Sequence, residues 1–215
     1  AKLQEGQSAW ETQRLKEDSV STWETLRPVA ARAKNQTLHL QEDRSVLAKG
    51  KLPGQDEYFL QTAVPTSSFR HVRLEALQHA SLPAGGLSRV KGGNFVLTDF
   101  KMMLERAGEE PKEIILASAR ATFNQGGLDV KQAIDGNADS GWGVWPGQQG
   151  VKQPHTAVFT LAELVKAEPE VQLVFLLKFN HSAKQHVMGR FRLSVSKDDK
   201  PAFGGDDLLL ALKTQ

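Results

Sequence analysis

The sequence has no cysteine, which excludes a disulfide framework, a zinc–thiolate site and a thiol nucleophile. That absence assigns no compartment, since many extracellular domains do without disulfides. Long apolar runs are missing too. Nothing approaches the ~18 consecutive apolar residues of a membrane span, so no membrane insertion is expected. Charge of one sign is also scarce. The 215 residues carry 27 basic and 25 acidic side chains, a formal net charge of +2. Without a basic stripe, no nucleic-acid partner is expected.

Signatures of catalysis are absent as well. No Gly-x-Ser-x-Gly, His-Glu-x-x-His or phosphate-binding glycine loop occurs. The six histidines are dispersed; His181 and His186, five positions apart, suit either a metal pair or a solvated turn. The acidic pairs Glu109-Glu110, Asp198-Asp199 and Asp206-Asp207 fall in turn-like stretches. The chain is therefore read as non-enzymatic.

What is present is strand patterning. Thr37 to Gln41 alternates, Glu42 to Ser45 reads as a turn, and Val46 to Ala48 resumes, which predicts a hairpin. Tyr58 to Val64, Phe69 to Leu77, Phe95 to Leu104, Glu113 to Phe123, Thr156 to Leu161 and Arg190 to Val195 follow as strands. In Glu113 to Phe123, Ile114, Leu116 and Ser118 share one face. The nearly continuous apolar run Val171 to Phe179 predicts a central strand covered on both faces. Roughly nine or ten short strands joined by Gly- and Pro-bearing loops predict an all-β fold, a two-sheet antiparallel sandwich. Helical segments are expected outside it: an amphipathic arm over 1–18, with Leu3, Trp10 and Leu15 on one face, and a short helix near Asp206 to Leu212. The expected division is an arm at 1–18, a sandwich at 19–198, and a linker with a short helix at 199–215.

The densest segment runs from Ala133 to Trp142. Asp135-Gly136 calls for a tight turn, and Asn137, Asp139 and Ser140 crowd oxygen atoms into it. Such a loop is either a site for a hard cation, which takes six to eight oxygens, or a metal-free Asx turn. Its pattern of Ala133, Asp135-Gly136-Asn137, Ser140 and Trp142 resembles that of the galactose-binding-like β-sandwiches, discoidin-type and lectin-like sugar-binding modules among them. That resemblance implies a jelly-roll sandwich with a structural Ca²⁺. Asp135 and Ser140 would then supply side-chain oxygens, and Ala133 and Asn137 mainly carbonyls.

A second resemblance covers most of the chain. Leu74 to Pro83, Gly92 to Phe100, Ala133 to Gly136, Pro154 to Phe159 and His186 to Ser194 occur in the order found in one module. It resembles the sandwich inserted between two large domains of planctomycete-type cytochrome-c multidomain proteins. In that module the first hairpin turn reads Asp-Gly-Ser, whereas here it is Asp43-Arg44-Ser45, so a different backbone type is expected. The resemblance implies a place outside the cytoplasm (secreted, periplasmic or on the cell surface), with neighbouring domains of a parent chain as partners.

Carbohydrate binding is the function these resemblances imply, with a polysaccharide or oligosaccharide as partner. Sugar recognition needs an aromatic platform and planar hydrogen-bonding groups, and arginine forks would also favour sulfated or acidic glycans. Trp145 is either an exposed platform or a second core tryptophan. Arg190 and Arg192 are either ligand donors or a solvated strand face. Arg89 in the Ser81 to Gly93 loop can line a cleft, and His155 can donate to a hydroxyl or hold a structural bond. The alternative is a structural module that docks neighbouring domains through its terminal arms.

Overall fold

A computed structural model describes residues 23–63, 65–147, 151, 153–168 and 171–203. The two terminal helices expected from the sequence lie outside the described residues. In chain order the first strands are β1 (Glu24–Thr25), β2 (Pro28–Ala33), β3 (Thr37–Leu40), β4 (Val46–Lys49) and β5 (Asp56–Ala63). Next come β6 (Phe69–Ala76), β7 (Val96–Leu97), β8 (Asp99–Glu105), β9 (Lys112–Glu113) and β10 (Leu116–Ala121). The last are β11 (Trp142–Gly143), β12 (His155–Val165), β13 (Gln172–Phe179) and β14 (Arg190–Ser196). Only two short 3₁₀ turns, Pro83–Gly85 and Val130–Ile134, interrupt this all-β chain among the described residues.

The strands form two antiparallel sheets packed face to face. A seven-stranded sheet runs β10-β12-β6-β14-β4-β3, with β1 pairing β14 beside β4. A five-stranded sheet runs β2-β5-β13-β8-β9, and β7 and β11 form a small ladder of their own. The expected hairpin is present as β3 and β4, paired Thr37 with Lys49 through Leu40 with Val46. Arg44 takes the left-handed conformation (φ 65°) that glycine would otherwise supply, and its guanidinium donates to the Thr25 carbonyl at 2.8 Å. Two predicted strands are each divided. Phe95 to Leu104 gives β7 and β8 on either side of Thr98, whose backbone N–H and hydroxyl both donate to the Lys178 carbonyl. Glu113 to Phe123 gives β9 and β10, and a bulge between Leu116 and Ser118 turns Ala119 rather than Ser118 inward.

Aromatic pairs join the sheets. Phe100 of β8 stacks on Phe159 of β12 with centroids 4.2 Å apart, and Tyr58 of β5 stacks on Phe191 of β14 at 5.8 Å. The Tyr58 hydroxyl donates to the Met188 carbonyl at 2.8 Å, and burial pushes its pKa far up, so it stays protonated. Trp142 is fully buried, edge-on to Phe95, with its indole N–H donating to the Phe123 carbonyl at 2.9 Å. Each such side chain contributes about 1.5–3 kcal/mol of burial free energy.

The two outer faces differ. Over the seven-stranded sheet the chain folds back as a strap. The Trp23 indole donates to the Ala202 carbonyl at 2.9 Å, Arg73 lies over the Trp23 ring at 4.7 Å, and Arg120 lies over Phe203 at 4.2 Å while donating to the Pro201 carbonyl. His71, Arg73, Val158, Ser194 and Ser196 are buried on that face. No described strand is layered on the outer face of the five-stranded sheet, and the Val130–Ile134 turn meets this sheet at β8. β13 is central, as expected, and the described residues bury only one of its faces fully. Leu173, Phe175 and Leu177 face the core, while Val174 and Leu176 stand half-buried on the open side.

Candidate functional site

Most of the residues expected to meet a sugar are engaged with protein partners. Arg190 donates to the Ser45 hydroxyl at 2.9 Å, the Gln78 carbonyl at 3.1 Å and the Asp43 carboxylate at 2.6 Å. Burial pushes the Asp43 pKa up, but the Ser45 hydroxyl and N–H and the guanidinia of Arg190 and Arg192 outweigh it and leave the carboxyl below its usual range. Arg192 grips both oxygens of Glu75, at 2.8 and 3.1 Å. Arg89 donates to the Gln36 side chain and to the Gly50 carbonyl. His155 is buried, stacked on Phe123 at 5.3 Å, and burial lowers its pKa.

Trp145 is the packing alternative. Its ring lies against Gly92, where an added Cβ would come within 2.8 Å of the indole, and its N–H at the backbone donates to Gln125. The ring is half-buried and packs against the core.

The Asp135 loop is an Asx turn. One Asp135 oxygen accepts the Asn137 N–H at 2.7 Å, and the Ser140 hydroxyl lies 3.1 and 2.9 Å from the two oxygens. Asn137 repeats the device by accepting the Asp139 N–H at 3.0 Å. Gly136 has φ 76°, which explains the Asp-Gly pair. The Ala133 side chain is buried beneath the loop. These oxygens are occupied in holding the turn, and no group of three His, Asp or Glu side chains that could hold a metal occurs among the described residues. As placed, the Asp135 and Ser140 side chains hold the turn together.

A different constellation occupies the open face of the five-stranded sheet. Register places Ala30, Gln61, Val174, Met103 and Glu113 in one row across all five strands. The adjoining row is Arg32, Phe59, Leu176 and Lys101. A shallow groove of about 330 Å³ runs along them, lined by Arg32, Phe59, Gln61, Met103, Glu105 and Val174 among others. No family model matches the chain, and no curated protein or solved structure is significantly similar to it. The groove therefore has to be read from its own chemistry.

Its floor is apolar, from Val174 and Met103, both half-buried, with Leu176 in the adjoining row. At one end the Gln61 amide donates to Glu105 at 3.0 Å and to the Gln172 side-chain oxygen. Toward the other, the Arg32 guanidinium lies 4.1 Å from the Phe59 ring centroid. That stack fixes the plane of the donor fork. The combination of an apolar floor with planar donors and acceptors at its margin suits a ligand with one apolar face and many hydroxyl groups. Sequence reading missed it because Gln61, Gln172 and Arg32 lie in ordinary alternating strands. The one available signal was the two-sided apolar pattern of β13.

Proposed function

We propose that this protein is a non-catalytic carbohydrate-binding module whose site is the groove across the open face of the five-stranded sheet. The observation that carries this reading is the single row of exposed and half-buried side chains spanning five strands, with Phe59 and Arg32 beside the Gln61–Gln172–Glu105 cluster. The resemblance of Ala133 to Trp142 to galactose-binding-like sandwiches supports the same class of ligand. Hydrolysis by paired carboxylates needs a second acid, and Glu105 is the lone carboxyl among the described lining residues. A role in holding a larger multidomain protein against a polysaccharide outside the cytoplasm follows from this reading.

Affinity electrophoresis of the intact chain through gels containing a panel of polysaccharides tests the proposal. Retardation by at least one polymer, weakened about tenfold by Phe59→Ala, is the expected outcome. Migration unaffected by every polymer overturns it.

A further inference from the structure

We infer that the ligand of this groove is an uncharged linear polysaccharide, held along the interior of its chain and lying across the strands. This inference rests on the carbohydrate-binding reading and adds the class of polymer and its orientation.

The charge arrangement decides the class. Each lysine on this face already faces a carboxylate: Lys101 stands 3.6 Å from Glu113, Lys178 2.9 Å from Asp99, and Lys34 3.9 Å from Glu57. The charges left along the groove are Arg32 and Glu105, one of each sign, near opposite ends. Sulfate or uronate groups spaced along a polymer need a cationic track. They would instead meet Glu105, the lone carboxyl among the described lining residues. The arginines that could have formed such a track, Arg89, Arg190 and Arg192, are bound to protein acceptors elsewhere.

Hydroxyl groups fit the same margin. Glu105 and Gln172 each receive one hydrogen bond from Gln61. Among the described residues, the Gln172 amide nitrogen and the second Glu105 oxygen have no protein partner, so they offer one donor and one acceptor side by side. Adjacent hydroxyls of a sugar ring present that same pairing, each able to donate and accept.

The direction of the groove gives the orientation. Three strand spacings of about 4.8 Å separate Ala30 of β2 from Met103 of β8, so the lined groove extends about 14 Å across the strands. That is longer than one or two sugar rings. No described element closes either end, since β2 and β9 are the edge strands. A chain can therefore run through, with neither terminus needed for recognition.

The test uses the intact chain with neutral polymers (mixed-linkage β-glucan, xylan, galactomannan) and anionic ones (carrageenan, alginate, pectin) in affinity gels and calorimetry. Binding to at least one neutral polymer and none of the anionic ones is expected, with less than about a twofold change from low to high salt. Long oligomers of the bound polymer should compete at least about tenfold better than its disaccharide. Gln172→Ala, at an exposed position, should weaken binding about tenfold without lowering the melting temperature, and Phe59→Ala should do so independently. Binding confined to anionic polymers, or equal competition by the disaccharide, overturns this inference while leaving a carbohydrate-binding module standing. Failure to bind any polymer overturns both. So does a dimer in sedimentation that Phe59→Ala dissociates, because the face would then belong to a second copy.

Discussion

Arg190 shows how a side chain of the right chemical type can be spoken for. It was a reasonable sugar donor in the sequence, but its three acceptors come from Asp43, Ser45 and Gln78. Asp43 is 147 positions away, and the Glu75 partner of Arg192 is 117 away. Donor type is legible from sequence; whether a distant acceptor has already claimed the donor is not. Arg190→Ala should therefore reduce stability, by about 1.5–3 kcal/mol for its charge-assisted bonds, and lower the melting temperature by several degrees while leaving polysaccharide binding unchanged. The histidines set the acid side of the stability profile. Burial holds the folded-state pKa of His155 below its unfolded value of about 6.5, and burial with Arg120 and Arg70 does the same to His71. As pH falls through that window the unfolded chain takes up these protons first, so stability declines. Denaturant melts between about pH 7 and pH 5 should show this slope, and His155→Gln should flatten part of it. Addition or chelation of calcium should leave the melting temperature unmoved, because the Asp135 oxygens are already satisfied within the turn.

At the scale of elements, alternation was a reliable guide where a strand buries one face against a core. β5, β6, β12 and β14 each overlap a predicted strand and bury apolar side chains inward. The errors fall at irregularities. A single bulge in β10 reverses which face Ser118 occupies, and nothing in its composition marks the spot. Thr98 likewise separates β7 from β8 through one carbonyl of a strand 80 positions away. The two-sided apolar run of β13 correctly indicated a central strand, but its second face is only half-buried by the described residues. Close backbone approach is similarly hidden. A Cβ at Gly141 would lie 2.5 Å from the Leu97 carbonyl oxygen, where the β7–β11 ladder meets the turn into Trp142. Gly141→Ala should cost about 1–3 kcal/mol in chemical denaturation, since the obstacle is backbone and cannot rotate away.

For the molecule as a whole, the sandwich was legible because many short alternating strands without helices between them have few other ways to bury their apolar faces. The asymmetry of its outer faces was not, because it depends on where the chain ends travel after the last strand. Trp23 and the Pro201–Phe203 run close over the seven-stranded sheet, and the groove lies on the opposite side. Trp23→Ala should remove about 2 kcal/mol or more through lost packing and the cation–π contact, and calorimetric melting would register it. Groove affinity at a temperature where the variant remains folded should stay the same.

The Trp23–Ala202 contact also has a mechanical meaning. Residues 23 and 203 sit at one corner, and β1 pairs antiparallel with the end of β14, Glu24 opposite Val195. Tension applied between these two points meets the strap as a zipper, opening its bonds one after another, and not as a shear across the sandwich. The load path stays at that corner, so a ligand seated across β5 and β13 would be held by strands that carry none of the pull until the strap has yielded.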